Sequence, residues 1–164
     1  MPVQRINMQR MRAQLVLHEG LHLMPYRCTA GKLTIGVGYN IDAHGPPFGM
    51  TMKALMLFGI TERQATDLLD VQIQTFADEL DKAVPWWRDH DEIRMRVLLD
   101  MAFMGVGNEK KGLLSFRNTL ASMQAKNYDA AADGMMDSKW ARDVKTRAPR
   151  LAAMMRTGKD STDF

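Results

Sequence analysis

The chain has a single cysteine, Cys28, in 164 residues. One thiol cannot form an intramolecular disulfide, so no disulfide framework holds this fold, and no cysteine pair builds a zinc ribbon. Long apolar runs are missing too. No segment approaches the roughly 18 apolar residues of a spanning helix. Met1 to Gly20 carries Arg5, Arg10 and Arg12 but no uninterrupted apolar core, so it does not read as a secretory signal. The expected place of the product is therefore the cytoplasm, with help needed to act elsewhere. Aromatics make up only 7%, and none is interleaved with the basic run near the C-terminus, which argues against a nucleic-acid interface. Charge of one sign is not in large excess. The net value of +3 suits an anionic partner such as an envelope polymer or a phosphate without choosing among them.

What is present is an ordinary globular composition, 46% hydrophobic and 25% charged. At this size one domain, or two small lobes sharing a helix, can bury about 70% of the unfolded surface. Methionine is abundant at 15 residues. Its flexible thioether suits irregular gaps between helices, and a Met-rich binding surface is the alternative.

Residues 3–19 read as a first helix, with Ile6, Met8, Met11, Leu15 and Leu17 mostly three or four apart and Gly20 just past its end. The period then changes. Leu33, Ile35, Val37 and Tyr39 alternate with Thr34, Gly36, Gly38 and Asn40, a strand signal, so Tyr26–Cys28 and Leu33–Tyr39 are expected to pair across a Thr29–Lys32 turn. Gly45-Pro46-Pro47 marks a loop, and a short helix from Thr51 to Phe58 is ended by Gly59. Thr61-Glu62-Arg63-Gln64 spells a capping box ahead of a long helix reaching Ala83. Further helices are expected at 91–103, 116–126, 128–137 and 142–156. The fold class is α+β, predominantly helical.

The stretch from His18 to Asn40 carries the chemistry. As His18-Glu19-x-x-His22 it spells a zinc-hydrolase motif, which needs both histidines on one helix face. Gly20 inside the motif and Pro25 just after it end the helix where a zinc helix should continue, and no clear third ligand exists. Histidines near a helix C-terminus, where positive charge is favoured, are the simpler reading. Read instead from Glu19, a carboxyl in the last helical turn feels the negative end of the dipole. That favours its protonated form, the form a general acid needs. Thr34, Gly36 and Gly38 would share one strand face, leaving room for a ligand against the backbone.

Glu19, Cys28 and Thr34 fit the Glu–(eight residues)–Asp/Cys–(five residues)–Thr pattern, and the chain here resembles the phage-type lysozymes, endolysins of the T-even kind. Leu33-Thr-Ile-Gly-Val-Gly-Tyr39 matches, as do Asp100-Met-Ala-Phe103-Met-Gly105, Ser115-Phe-Arg-Asn-Thr119, Ser138-Lys-Trp140, Arg147-Ala-Pro-Arg150 and Arg156-Thr-Gly158 downstream. The resemblance implies a lysozyme-like fold of one catalytic domain. Its parts would be a small sheet lobe over 13–60, a connecting helix over 61–83 about which the lobes hinge, and a helical lobe over 84–164 with residues 3–12 packed on it. It implies a muramidase that cleaves the β-1,4 bond between N-acetylmuramic acid and N-acetylglucosamine in bacterial peptidoglycan, with inversion, and lyses the host cell. Glu19 would be the general acid, and Cys28 and Thr34 would hold the attacking water. Asn40, Phe103 and Thr119 fall where the family contacts saccharide. It implies no cofactor and no metal, a monomer without stable membrane insertion, and release through a holin. Three positions depart from common family residues: Cys28 for Asp, Tyr39 for a buried His, and Gly134 for a substrate-contacting polar residue. A non-catalytic wall-binding relative is the alternative. Trp86, Trp87 and Trp140 read as packing residues, and Lys139, Arg142, Lys145, Arg147 and Arg150 as a solvated basic face or a contact for anionic wall groups.

Overall fold

A computed structural model describes Val3 and residues 5–164. The chain divides into two compact units, residues 8–75 and residues 76–164 together with those up to Asn7.

The first unit opens with helix α1, Met8–Glu19. It starts later than the expected residue 3, because the preceding backbone is used otherwise. The Ile6 N–H turns back to the Val3 carbonyl at 2.9 Å, and the Asn7 N–H donates to the Glu92 carboxylate at 3.0 Å. The unit boundary falls between Asn7 and Met8, so α1 lies whole in the sheet unit and residues 8–12 are not part of the helical one. Gly20 ends the helix at φ 79°, its N–H donating to the Val16 carbonyl. Arg12 forks onto Asp70 of the long helix, Nε to Oδ1 at 2.7 Å and Nη2 to Oδ2 at 2.6 Å. Met11 and Leu15 point inward and are fully buried.

The sheet is an antiparallel β1-β2-β3 meander of His22–Arg27, Leu33–Gly36 and Tyr39–Asn40. Strand β1 begins four residues earlier than expected, at His22. It tolerates Pro25 because its register with β2 slips between His22 and Tyr26, where the missing N–H is not needed. The expected run from Leu33 to Tyr39 is broken at Val37 and Gly38, and Ile35 pairs back onto Tyr39. Gly36 at φ 64° and Gly38 at φ 69° supply the left-handed conformations this tight turn requires.

Asn40 caps a short helix α2, Ile41–His44, that periodicity did not reveal, and Thr51 caps α3, Met52–Phe58, which Gly59 ends. Ile35, Ile41, Leu55, Ile60 and Ala65 form the core of this unit. The capping box forms as read: the Thr61 N–H donates to Gln64 Oε1 at 2.9 Å and the Gln64 N–H to Thr61 Oγ1 at 3.1 Å. It starts α4, Glu62–Ala83, which runs through both units.

The helical unit is built on α5, Glu92–Ala102, whose residues from Met95 to Ala102 are all buried. Around it pack α6 (Arg117–Gln124), α7 (Tyr128–Met136), α8 (Lys139–Val144) and α9 (Arg147–Thr157). The single helix expected over 142–156 is two. Lys145 adopts φ 47°, and the Pro149 ring would collide with the Lys145 carbonyl in a continuous helix, whereas in the first turn of α9 its missing N–H costs nothing. Nor is the basic run a solvated face throughout. Arg147 meets the fully buried Asp100 at 2.7 Å and Arg150 meets Asp163 at 2.7 Å. Methionine fills this core as expected, with Met95, Met101, Met123, Met135 and Met155 inside. Met24, Met52 and Met56 of the sheet unit are exposed instead. Among the described residues, no helix is long and apolar enough to cross a membrane.

Candidate functional site

Of the six candidate site residues, Glu19, Cys28, Thr34 and Asn40 lie in the sheet unit. Glu19 is the last residue of α1 and is half-buried. Its carboxyl lies against the β2–β3 turn, where a methyl group built on Gly38 would come within 3.2 Å of Glu19 Oε2 and 3.4 Å of its carboxyl carbon. The small face anticipated on the strand therefore exists only in part. The chain turns after Gly36, and what occupies the space beside Gly38 is the Glu19 side chain.

Cys28 follows β1 at the mouth of the first turn. Its N–H donates to the Lys32 carbonyl at 3.0 Å, and its own carbonyl accepts from the Gly31 N–H at 2.8 Å. It is half-buried. Burial alone would push the thiol up. Backbone hydrogen bonds from Lys32 and Ala30 and the Thr34 hydroxyl outweigh it, so the thiol sits below its ordinary value. Thr34 is buried on β2, and its hydroxyl donates to the Lys32 carbonyl at 2.9 Å. One hydroxyl proton serves one acceptor at a time. With Cys28 protonated the Thr34 proton stays on Lys32; with Cys28 ionised it turns to the sulfur.

Tyr26 is a neighbour of the candidate site that sequence reasoning missed. It pairs with Thr34 in the sheet and stacks on His22, ring centroids 3.8 Å apart. Its phenol is pushed up first by burial, then by the negative charges of Cys28 and Glu19. Tyr26 thus stands in the field of both groups. The signal was its position two residues before Cys28, on the same face of an extended chain.

The zinc spelling loses its geometric premise here. His18 is in the last turn of α1, whereas His22 opens β1, so the two do not share a helix face.

The saccharide-contact candidates divide. Asn40 spends its side-chain oxygen capping α2, accepting from the Ala43 N–H at 3.0 Å. Phe103, in the helical unit, is half-buried against Phe76 at a ring separation of 4.7 Å. Thr119 is only 6% exposed. It packs against Gly134, where any added Cβ would collide with the Thr119 hydroxyl. Gly134 is thus a close-packing residue between α6 and α7. Thr119 and Gly134 border a groove of about 1090 Å³ within the helical unit, which Ser115, Arg117, Lys139 and Trp140 also line. Tyr39 donates to the Gly45 carbonyl at 3.1 Å, holding the loop after α2. Trp87 is fully buried with its indole N–H on Asp81, and Trp140 packs edge-on to Phe116.

Comparison with known proteins is consistent with this layout. The profile described as phage lysozyme matches residues 16–156. The chain is 32% identical over 163 residues to the pre-baseplate central spike protein Gp5 of Enterobacteria phage T4, covering 85% of this chain but 26% of that protein. It is 26% identical over 156 residues to a probable T4-type lysozyme 1 of Dictyostelium discoideum, covering 85% of this chain and 89% of the relative. The chain therefore spans about a quarter of the spike protein and nearly all of the lysozyme.

Proposed function

This chain belongs to the phage lysozyme family, and we propose that it is a muramidase hydrolysing the β-1,4 bond between N-acetylmuramic acid and N-acetylglucosamine in bacterial peptidoglycan. The observation that supports the assignment most is the placement of Glu19 against Gly38, on the hairpin that also carries Thr34 and follows Cys28.

In this reading Glu19 is the general acid. Its proton passes to the leaving glycosidic oxygen as the C1–O bond breaks. A water attacks C1 from the opposite face, giving inversion. Its proton goes to the Cys28 sulfur, which the lowered thiol value keeps in part as thiolate. Thr34 orients that water with its lone pairs; its own proton lies on the ionised sulfur and returns to the Lys32 carbonyl once the sulfur has taken the water's proton. Proton exchange with solvent then resets Glu19 and Cys28. Tyr26 shields the pair from bulk water, and Asn40, Phe103 and Thr119 contribute to saccharide binding, Thr119 chiefly by fixing α6 on α7. The enzyme works as a monomer without a cofactor or metal, on peptidoglycan. It accumulates in the host cytoplasm and reaches the wall in the periplasm when a holin opens the membrane, lysing the cell.

The test uses purified protein on outer-membrane-permeabilised Gram-negative cells, with and without chelator, beside Glu19→Gln and His22→Ala. Lysis that survives chelator and His22→Ala but is lost in Glu19→Gln, with reducing N-acetylmuramic ends released, is the expected result. Loss with chelator would favour zinc chemistry. Wall binding without lysis would leave a non-catalytic relative.

A further inference from the structure

The sheet unit carries an apolar ridge that the proposed chemistry does not use. In α3, Met56, Leu57 and Phe58 follow one another and all are exposed, Leu57 at 60% and Phe58 at 77%. Met52, one turn earlier, and Phe48, just before the helix, are exposed as well. Met24 of β1 joins them, its sulfur abutting Gly59, the residue after Phe58. Single exposed apolar side chains are ordinary on protein surfaces; this many on one short segment are not. Leu55 is the one residue of α3 that is fully buried. It anchors the helix to the core, so the outer side chains are not needed for folding.

The charge pattern narrows what the ridge meets. From Ala43 to Thr61 there is no aspartate or glutamate, and Lys53 stands within the exposed run. A second copy docked through the same face would set Lys53 near its own counterpart with no carboxylate on this segment to pair it. The partner should be apolar and anionic together. Its form follows from shape. Three consecutive exposed side chains fan around the end of a seven-residue helix, which makes a convex knob and not a groove for a defined peptide. A fluid lipid interface needs no matching contour.

We propose that this ridge docks on anionic phospholipid bilayers, lying on the surface, with Leu57 and Phe58 entering the headgroup–acyl boundary and Lys53 at headgroup level. This goes beyond the peptidoglycan chemistry and does not depend on it.

The full chain would be mixed with vesicles of phosphatidylethanolamine and phosphatidylglycerol and, separately, of phosphatidylcholine alone. Binding is read by co-sedimentation. The expected result is association with the anionic vesicles that weakens in high salt. The double variant Leu57→Ser/Phe58→Ser should weaken it at least tenfold, and Lys53→Glu by more than roughly fivefold, since one basic residue near such a surface contributes about that factor. Melting temperature and activity on soluble peptidoglycan should match wild type in both variants. No binding to anionic vesicles, equal binding to both compositions, or indifference to both variants would overturn the proposal. So would a dimer in sedimentation velocity that Phe58→Ser abolishes, which would assign the ridge to a second copy.

Discussion

Gly38 carries two demands at once, and substitution separates them. Its φ of 69° is one an L side chain adopts reluctantly, and a methyl there would press on Glu19. Gly38→Ala should therefore lose stability through the backbone and activity through Glu19. Gly36 and Gly31 provide matched controls. Both have positive φ, 64° and 75°. An added methyl on Gly36 meets only Leu68 and Ile60 at ordinary contact, 3.7 and 3.8 Å, and on Gly31 it meets nothing within 4 Å. The left-handed conformation costs an alanine about 1–2 kcal/mol. That lowers the melting temperature of a chain this size by roughly 2–8 °C, and the same fall is expected in all three variants.

The activity term differs. At 3.2 Å from Oε2 the added methyl must push the carboxyl by a few tenths of an ångström or turn it to another rotamer. With catalytic misplacement costing on the order of 10²-fold per ångström, the small displacement gives roughly a three- to fivefold loss of kcat. A rotamer change removes general-acid catalysis and costs about 10²–10⁴-fold. The assay is turbidity clearance of permeabilised Gram-negative cells, beside thermal melting by circular dichroism. Gly38→Ala should fall at least threefold below Gly36→Ala and Gly31→Ala in kcat at similar melting temperature. Equal activity in the three would refute the idea that the β2–β3 turn seats the acid.

Alkylation of Cys28 by iodoacetamide should reach its half-maximal rate at a lower pH than free cysteine does, and Thr34→Val should move that midpoint upward; a wild-type midpoint at or above free cysteine contradicts the assigned hydrogen bonds. His90 is held below its ordinary value by burial and by Lys126, with Arg94 adding to the effect and Asp91 and Asp89 opposing it, while its Nδ1 meets the Tyr128 hydroxyl at 2.8 Å. The folded state binds this proton less tightly than the unfolded one, so its contribution is complete above about pH 6.5 and is lost as pH falls through that value toward the folded one. Urea denaturation should show that slope in wild type and a flatter one in His90→Gln; Asp81, lowered to about 2 by its Arg88 fork and the Trp87 N–H, does not titrate in that window. Removing Asp100, fully buried against a mostly buried Arg147 at 2.7 Å, takes the carboxylate from that guanidinium, and Asp100→Ala should lose about 3 kcal/mol by denaturant titration. A loss below 1 kcal/mol would show that water replaces the carboxylate there.

What could be read from sequence was local. The capping box at Thr61–Gln64, the Thr51 cap and Gly59 stop of α3, and the unbroken stripe of α4 each depend on residues within one or two turns. The downstream words matched to the family gain a physical basis in the fold, since Asp100 and Arg147, from separate words, form one ion pair with its carboxylate fully buried. The failures came where one residue type serves two geometries. Gly36 and Gly38 fit an alternating strand on paper, yet with positive φ values they end β2 at Gly36 and turn the chain. Pro25 reads as a stop, yet a slipped register admits it inside β1. Pro149 falls inside the single helix expected over 142–156, yet it stands in the first turn of α9, a start that appears only once the chain breaks at Lys145.

The candidate site follows the same division. Glu19, Cys28 and Thr34 are legible because their spacing is fixed by one helix end and one hairpin. The contacts that define their chemistry are not, because they arise from the way the chain folds back. The Gly38 backbone meets Glu19, Tyr26 feels both Glu19 and Cys28, and Lys32 competes with Cys28 for a single Thr34 proton. That competition bears on the replacement of a carboxylate by a thiol. A carboxylate at this half-buried position with the same donors would be charged at neutral pH, whereas a thiol gains comparable charge only as far as backbone donors and Thr34 lower it. The turn from Cys28 to Thr34 supplies those donors. Thr34→Val should therefore harm this enzyme more than the loss of one water contact accounts for, because it raises the thiol and frees the water together.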